Sequence, residues 1–243
     1  MALAATHVTP VTIAAVFRLP LRARLRQPLY WQWLRFLTFG RAVPAALFCE
    51  MGWMQIGAVA QASGALQVLP RLLYLLFCCI PVGLYLTRPM PVNRDGRLVA
   101  RAAAFSGTCM QLFIGAFVPH YRLLFSPSDS LLLIASLLSI AAFAFACLGL
   151  GYLRRNLSII PEARTVVTGG PYRIVRHPLY LAEIAAALAL VLAAPYLVPV
   201  IALFAFIVLQ CTRARFEERL LLETLPEYAG YQKRTRALVP FVW

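Results

Sequence analysis

Five long apolar stretches, separated by short arginine-bearing segments, constrain this chain more than any other feature. The first four lie at 42–60, 66–86, 102–119 and 130–152, each close to the roughly 20 residues that cross a bilayer core. Inside hydrocarbon every backbone polar group must find its partner within the chain, so such stretches are expected as helices. Hydrophobic residues make up 61% of the sequence, against about half in soluble domains. The predicted fold is therefore all-α: a polytopic transmembrane helical bundle of about six spans.

The fifth stretch, Leu179–Cys211, is too long for one helix and too short for two comfortable spans. Pro195 and Pro199 interrupt it near the middle. The reading is two helices of about 15 residues each, folded back through Ala194–Pro199; one kinked, tilted span is the alternative. The cations favour the hairpin. Of 23 Lys+Arg, six lie in 1–41, four in 87–101, five in 153–178 and six after 211. With six spans all four segments fall on one side, which the positive-inside rule makes cytoplasmic. A single last span would put the tail on the opposite side.

Three regions are expected: a basic interfacial arm at 1–41, four transmembrane helices at 42–152, and a region at 153–243 made of a loop, a helical hairpin and an amphipathic tail. The arm has no acidic residue and carries Tyr30, Trp31 and Trp33, which suit headgroup depth. An organelle transit peptide is the other reading of an Arg-rich, acid-poor start. Glu50 falls inside the first span, where a carboxylate is a functional candidate by default. Arg71 lies just inside the second and can snorkel. Val239–Trp243 reads as a return to the interface.

Between the fourth stretch and the hairpin lies Gly170-Pro171-Tyr172-Arg173-x-x-Arg176-His177-Pro178-x-Tyr180. Gly169-Gly170-Pro171 cannot continue a helix and makes a turn. Pro178 suits the first position of a new helix. Free N–H groups and the positive dipole end then face Arg173, Arg176 and His177, a site for a carboxylate or phosphate. The plain alternative is a basic juxtamembrane loop with a capping histidine. Tyr180 and Glu183 share a helix face. If the hairpin turns near Tyr196, His177 returns alongside Arg215, Phe216 and Glu217, and Tyr180 lies level with Cys211 and Thr212. Beyond, Arg213–Glu223 reads as a charged amphipathic stretch, and Pro226 opens a short helix carrying Tyr228 and Tyr231.

Other chemistries find little support. The six cysteines sit in or beside apolar runs, and no C-x-x-C or H-E-x-x-H occurs, so no metal is expected. Gly149-x-Gly151 lacks the third glycine of a dinucleotide loop and has no strand before it. The arginines are not interleaved with aromatics on a soluble face, so no nucleic-acid partner is expected.

The first motif, then an apolar hairpin, then Glu217-Glu218-x-x-Leu-x-x-x-x-x-x-Tyr228-x-x-Tyr231, resembles the isoprenylcysteine carboxyl methyltransferase and phospholipid methyltransferase group of integral-membrane enzymes. The resemblance covers about residues 150–243. It implies an S-adenosylmethionine site built from the hairpin and the loops at its cytoplasmic mouth, and a lipid or lipidated methyl acceptor. On that reading His177, Glu218 and Arg176 are catalytic. Tyr172, Arg173, Arg176, His177, Pro178, Tyr180, Glu183, Glu217, Glu218 and Tyr228 contact the cofactor. Arg176 or the helix start takes its carboxylate, a glutamate its ammonium or ribose, and Tyr172, Tyr180, Phe216 or Tyr228 its adenine or sulfonium. The acceptor stays open among a prenyl-cysteine carboxylate, a lipid amine, a phenolic lipid and a small thiol. A multi-pass protein of a bacterial inner membrane is expected, with an organelle membrane as alternative. A membrane lipid reductase using NADPH and a non-enzymatic channel or transporter are the competing functions.

Overall fold

The computed structural model describes residues 13–116 and 123–238. The expected interfacial return at 239–243, the first twelve residues and the end of the expected third span lie outside them. Three short helices come first: α1 (Ile13–Phe17), α2 (Leu21–Arg24) and α3 (Pro28–Arg35). Arg24 ties α2 back to the end of α1 by donating to the carbonyls of Phe17 and Leu19 at 2.7 and 3.1 Å. Beyond α3 the helix widens to π geometry over Phe36–Ala42 and continues as α4 (Val43–Ala60). Helical geometry runs without a break from Pro28 to Ala60, across residue 41.

Next come α5 (Ala65–Thr87), α6 (Leu98–Ala116), α7 (Asp129–Leu153), α8 (Pro178–Ala193), α9 (Leu197–Thr224) and α10 (Tyr228–Arg234). Among the described residues, four helices are long and apolar enough to cross a membrane: Pro28–Ala60, α5, α7 with its 3-10 extension to Asn156, and α9; α6 and α8 carry shorter apolar stretches. Apolar run length dictated these bounds, and breakers trimmed them. Gly64, at φ +85°, ends the turn before α5. Ser128 caps α7 by accepting from the Leu131 amide at 3.3 Å. Pro178 occupies the first turn of α8.

α7 packs along α8 and α5, α4 covers α5, and α9 lies against α6 and α8. Small residues permit the closest of these approaches. Ala142, Ala146 and Gly149 of α7 and Ala182, Ala186 and Ala189 of α8 are all buried. A Cβ on Gly149 would lie 3.0 Å from Leu179 Cδ2.

The fifth apolar stretch is a hairpin turning at Ala194–Tyr196, but its arms are unequal. α8 has 16 residues and α9 has 28. The charged stretch Arg213–Glu223 continues the second arm instead of forming a separate surface helix. Arg213, Ala214 and Leu220 are buried within it, so tertiary contacts carry the helix past the end of its apolar run.

Both ends of the bundle are marked by contacts distant in sequence. At one end Leu124 N donates to Pro195 O at 3.0 Å, joining the α6–α7 connection to the hairpin turn. At the other, two-residue strands β1 (Asn93–Arg94) and β2 (Glu162–Ala163) pair antiparallel, Asn93 opposite Ala163 and Arg94 opposite Glu162. There too Arg41 donates to Arg88 O at 2.6 Å, and Arg176 N donates to Arg236 O at 2.7 Å. The four arginine-bearing segments therefore meet at one end. Glu50, on α4, is exposed on the outside of the bundle.

Candidate functional site

The chain enters α8 through Gly170, at φ +56°, and a 3-10 turn over Gly170–Arg173. A side chain on Gly170 would meet the Tyr152 ring at 2.4–2.6 Å, so the turn needs glycine for backbone and space alike. It delivers Arg176 and His177 to the start of α8, opposite the second half of α9. Glu218 is the hub. Its Oε1 accepts from Arg176 Nε at 2.6 Å and meets His177 Nε2 at 3.1 Å. Its Oε2 accepts from Gln232 Nε2 at 3.0 Å. An ionised carboxylate only accepts, so His177 carries its hydrogen on Nε2. His177 Nδ1 lies 3.8 Å from Glu217 Oε2, beyond hydrogen-bond range.

One turn into α8, the Tyr180 hydroxyl donates to Glu217 at 2.8 Å, and its ring stacks on His177 at 5.3 Å. The Arg213 guanidinium lies 4.6 Å from the Tyr180 ring centroid. The Tyr180 side chain thus reaches Arg213 and Glu217, further along α9 than the Cys211–Thr212 level that mirror symmetry about Tyr196 suggests. Helix side chains lean toward their own N-terminus. In an antiparallel pair Tyr180 leans toward the mouth and Glu217 leans down to meet it. Deeper still, Gln210 bonds to both Glu183 and Arg213. Arg213 sits 3.8 Å from Glu183 and passes over Gly107 of α6, where a Cβ would come within 2.7 Å.

The tail closes over the loop. Arg176 Nη1 donates to Gln232 O at 3.0 Å and also to Thr235 O. The Tyr231 hydroxyl donates to Tyr172 O at 2.6 Å, and His177 N to Ala237 O at 3.0 Å. Burial pushes the Tyr231 phenol up to about 12, and those of Tyr172 and Tyr228 well above their ordinary value. All three stay protonated near neutrality and present aromatic faces and hydroxyls, not bases.

The structure therefore brings Tyr172, Arg176, His177, Pro178, Tyr180, Glu217, Glu218 and Tyr228 to one end of the hairpin. Arg173 is exposed. Glu183 belongs to the deeper layer. Phe216 lies under the Arg97 guanidinium at 5.0 Å. Among the described residues, no group of three His, Cys, Asp or Glu is placed to hold a metal ion.

A second charged cluster adjoins the first and was not singled out from the sequence. Glu162, with its side chain fully buried, pairs with Arg94 at 2.5 Å, Arg164 at 2.8 Å and Arg88 at 3.2 Å. Ser158 donates to it at 2.8 Å. Burial alone raises a carboxyl's pKa, but Arg88, Arg164, Arg94 and Ser158 hold that of Glu162 below its ordinary value. Arg88 further anchors the arm and the α7–α8 loop, donating to Gly40 O and to Leu157 O. One sequence signal was available: Glu162 is the lone carboxylate between 130 and 182, beside five arginines in 153–178. A cavity of about 50 Å³ joins the clusters and is lined by Glu162, Arg164, Tyr172, His177, Glu217 and Tyr228, among others.

Comparison with known proteins agrees with this region. The model of the isoprenylcysteine carboxyl methyltransferase (ICMT) family matches residues 130–223. The match runs from the start of α7 almost to the end of α9. It begins earlier than the motifs alone implied and stops before Tyr228. The chain is also 36% identical over 77 residues to the cobalt-zinc-cadmium resistance protein CzcN of Cupriavidus metallidurans. That alignment covers 31% of this chain and 36% of the relative, so the chain spans about a third of the curated relative it matches.

Proposed function

We propose that this chain is an integral-membrane methyltransferase that uses S-adenosylmethionine and acts on a lipophilic acceptor. The candidate acceptors are a prenyl-cysteine carboxylate, a lipid amine and a phenolic lipid. The observation that carries the reading is the meeting of the segment before the hairpin with the segment after it, Arg176 and His177 on Glu218 and Tyr180 on Glu217. The family match over the same stretch supports it. The relative's name, cobalt-zinc-cadmium resistance protein, specifies no reaction.

The residues present suit the donor. When bound, it supplies an electrophilic methyl group on a sulfonium. Glu217 and Glu218 provide negative charge for its cationic groups, and Tyr172, Tyr180 and Tyr228 provide aromatic faces. His177 is oriented by Glu218 and by the stacked Tyr180 ring. Arg176, with Glu218 and two tail carbonyls as partners, serves as a positioning residue that holds the tail over the loop. A cavity of about 50 Å³ is far below the roughly 300–1,000 Å³ of small-molecule clefts. Donor entry therefore requires the tail or the loop at Thr165–Val167 to move. A carboxylate acceptor needs no base; an amine or phenol does, and His177 and Glu217 are the nearest groups. The arginine-rich end faces the cytoplasm on this reading, with six crossings in a bacterial inner membrane. Residues 153–243 form the catalytic region and 42–152 the helices that guide a lipophilic acceptor sideways into it.

Calorimetry on the purified chain tests the reading. S-adenosylmethionine is expected to bind, and His177→Ala or Glu218→Ala to weaken it. Unchanged binding in both variants argues against this site. Protection from thermal unfolding by NADPH but not by S-adenosylmethionine points instead to a lipid reductase.

A further inference from the structure

Two arginines line the cavity, and they are in different states. Arg176 is spent on Glu218 and the tail carbonyls. Arg164 donates through Nη2 to Glu162 at 2.8 Å and through Nε to Pro89 O at 3.2 Å. Its Nη1, buried, has no hydrogen-bond partner, in a side chain only 4% exposed. A buried guanidinium N–H without an acceptor is rare and unfavourable in a folded protein.

Glu162 does not supply the missing acceptor: its Oε2 takes Arg164 Nη2, and its Oε1, itself without a hydrogen-bond partner, lies 2.5 Å from Arg94 Nη2. It already pairs with Arg88, Arg94 and Arg164, so three positive charges face one negative and the cluster keeps a formal +2. The cavity is also lined by Glu217, and by Arg176, whose charge is matched by Glu218. The lining thus offers both an excess of cations, around Glu162, and the Glu217 carboxylate. That is the complement of a zwitterion, or of a carboxylate brought up to a cationic donor.

We propose that Arg164 is the carboxylate-binding residue of this cavity, its free Nη1 pairing with an incoming ligand carboxylate in a field that Arg88 and Arg94 reinforce. The inference rests on the methyltransferase reading. The carboxylate comes either from the amino-acid end of the methyl donor or from a carboxylate acceptor. Glu162 is then a positioning residue, holding the guanidinium by one edge and leaving another for the ligand.

The test compares two ligands on the full chain in detergent by calorimetry. S-adenosylhomocysteine carries the amino-acid carboxylate; 5′-methylthioadenosine keeps the nucleoside and thioether without it. If the donor supplies the carboxylate, Arg164→Gln weakens S-adenosylhomocysteine by about tenfold or more, as for a charge-assisted contact, and leaves 5′-methylthioadenosine unchanged. If the acceptor supplies it, both ligands bind as before, while KM for a prenyl-cysteine acceptor rises by a similar factor. Equal weakening of both ligands marks a structural role and overturns the proposal, as does an unchanged affinity together with an unchanged KM. Should Arg164→Gln not fold, Arg164→Lys serves the same comparison, because a lysine cannot offer the forked contact. If the unmodified chain binds neither ligand, the donor reading itself falls, and this inference with it.

Discussion

Removing the Glu218 carboxylate should open the clasp between tail and loop without melting the bundle. The side chains of Arg176 and Glu218 are 9% and 13% exposed. Glu218→Ala deletes the acceptor for Arg176 Nε, His177 Nε2 and Gln232 Nε2 together. Breaking a buried pair from one side costs about 3–5 kcal/mol. Arg176 keeps two carbonyl acceptors, and the site borders solvent, so the low end applies: about 3 kcal/mol. The cost should fall on local opening, because the tail's ties to the loop are few and the α7–α8 core lies elsewhere. The amides of Arg176 and His177, bonded to Arg236 O and Ala237 O, then exchange about a hundredfold faster, since each 1.4 kcal/mol is a factor of ten. Hydrogen exchange with mass spectrometry on the detergent-solubilised protein reads this directly. In a double-mutant cycle with Arg176→Met, the combined loss should fall short of the sum by about 2 kcal/mol, the two residues being in contact. Unchanged exchange at 176–177 in Glu218→Ala, or strictly additive losses, would refute the claim that this pair holds the tail.

Two further perturbations follow from the same geometry. Gly170→Ala forces a side chain into left-handed backbone and onto the Tyr152 ring. The backbone term alone is about 1–2 kcal/mol, and the thermal midpoint should drop accordingly, whereas Gly57→Ala, whose Cβ would meet nothing within 4 Å, should not lower it. The pH dependence of stability should carry the mark of Glu162, whose pKa is depressed in the folded state. Its contribution is complete above the ordinary carboxyl value of 4.5 and is lost as pH falls through the lower folded value. Asp95, held down chiefly by its hydrogen bonds from Arg97, adds in the same sense. Glu162→Gln should flatten the acid limb of thermal midpoint against pH; an unaltered limb contradicts the assignment.

Run length bounded most of the long helices. An apolar stretch near bilayer length has one low-energy solution in hydrocarbon. The runs 42–60, 66–86 and 130–152 came within a residue or two of α4, α5 and α7, although Pro70 and Pro81 lie inside α5 and α4 continues a helix that begins at Pro28. The hairpin was legible because two prolines and the one-sided arginines demanded it. The pairing of its two ends was legible because an antiparallel pair returns the chain to its starting level.

Tertiary structure decided the rest. Helix α9 outruns its apolar segment because Arg213, Ala214 and Leu220 find buried places that no local pattern announces. Arg164 and Glu162 look like ordinary loop charges in the sequence. They become a buried cluster only because two two-residue strands, whose pairs Arg94–Glu162 and Asn93–Ala163 are 68 and 70 positions apart, draw the α5–α6 loop onto the α7–α8 loop. Periodicity reports which face of a helix meets oil. It carries no record of which distant arginine will share a carboxylate, since that depends on where the loops are carried by helices that pack through alanine and glycine.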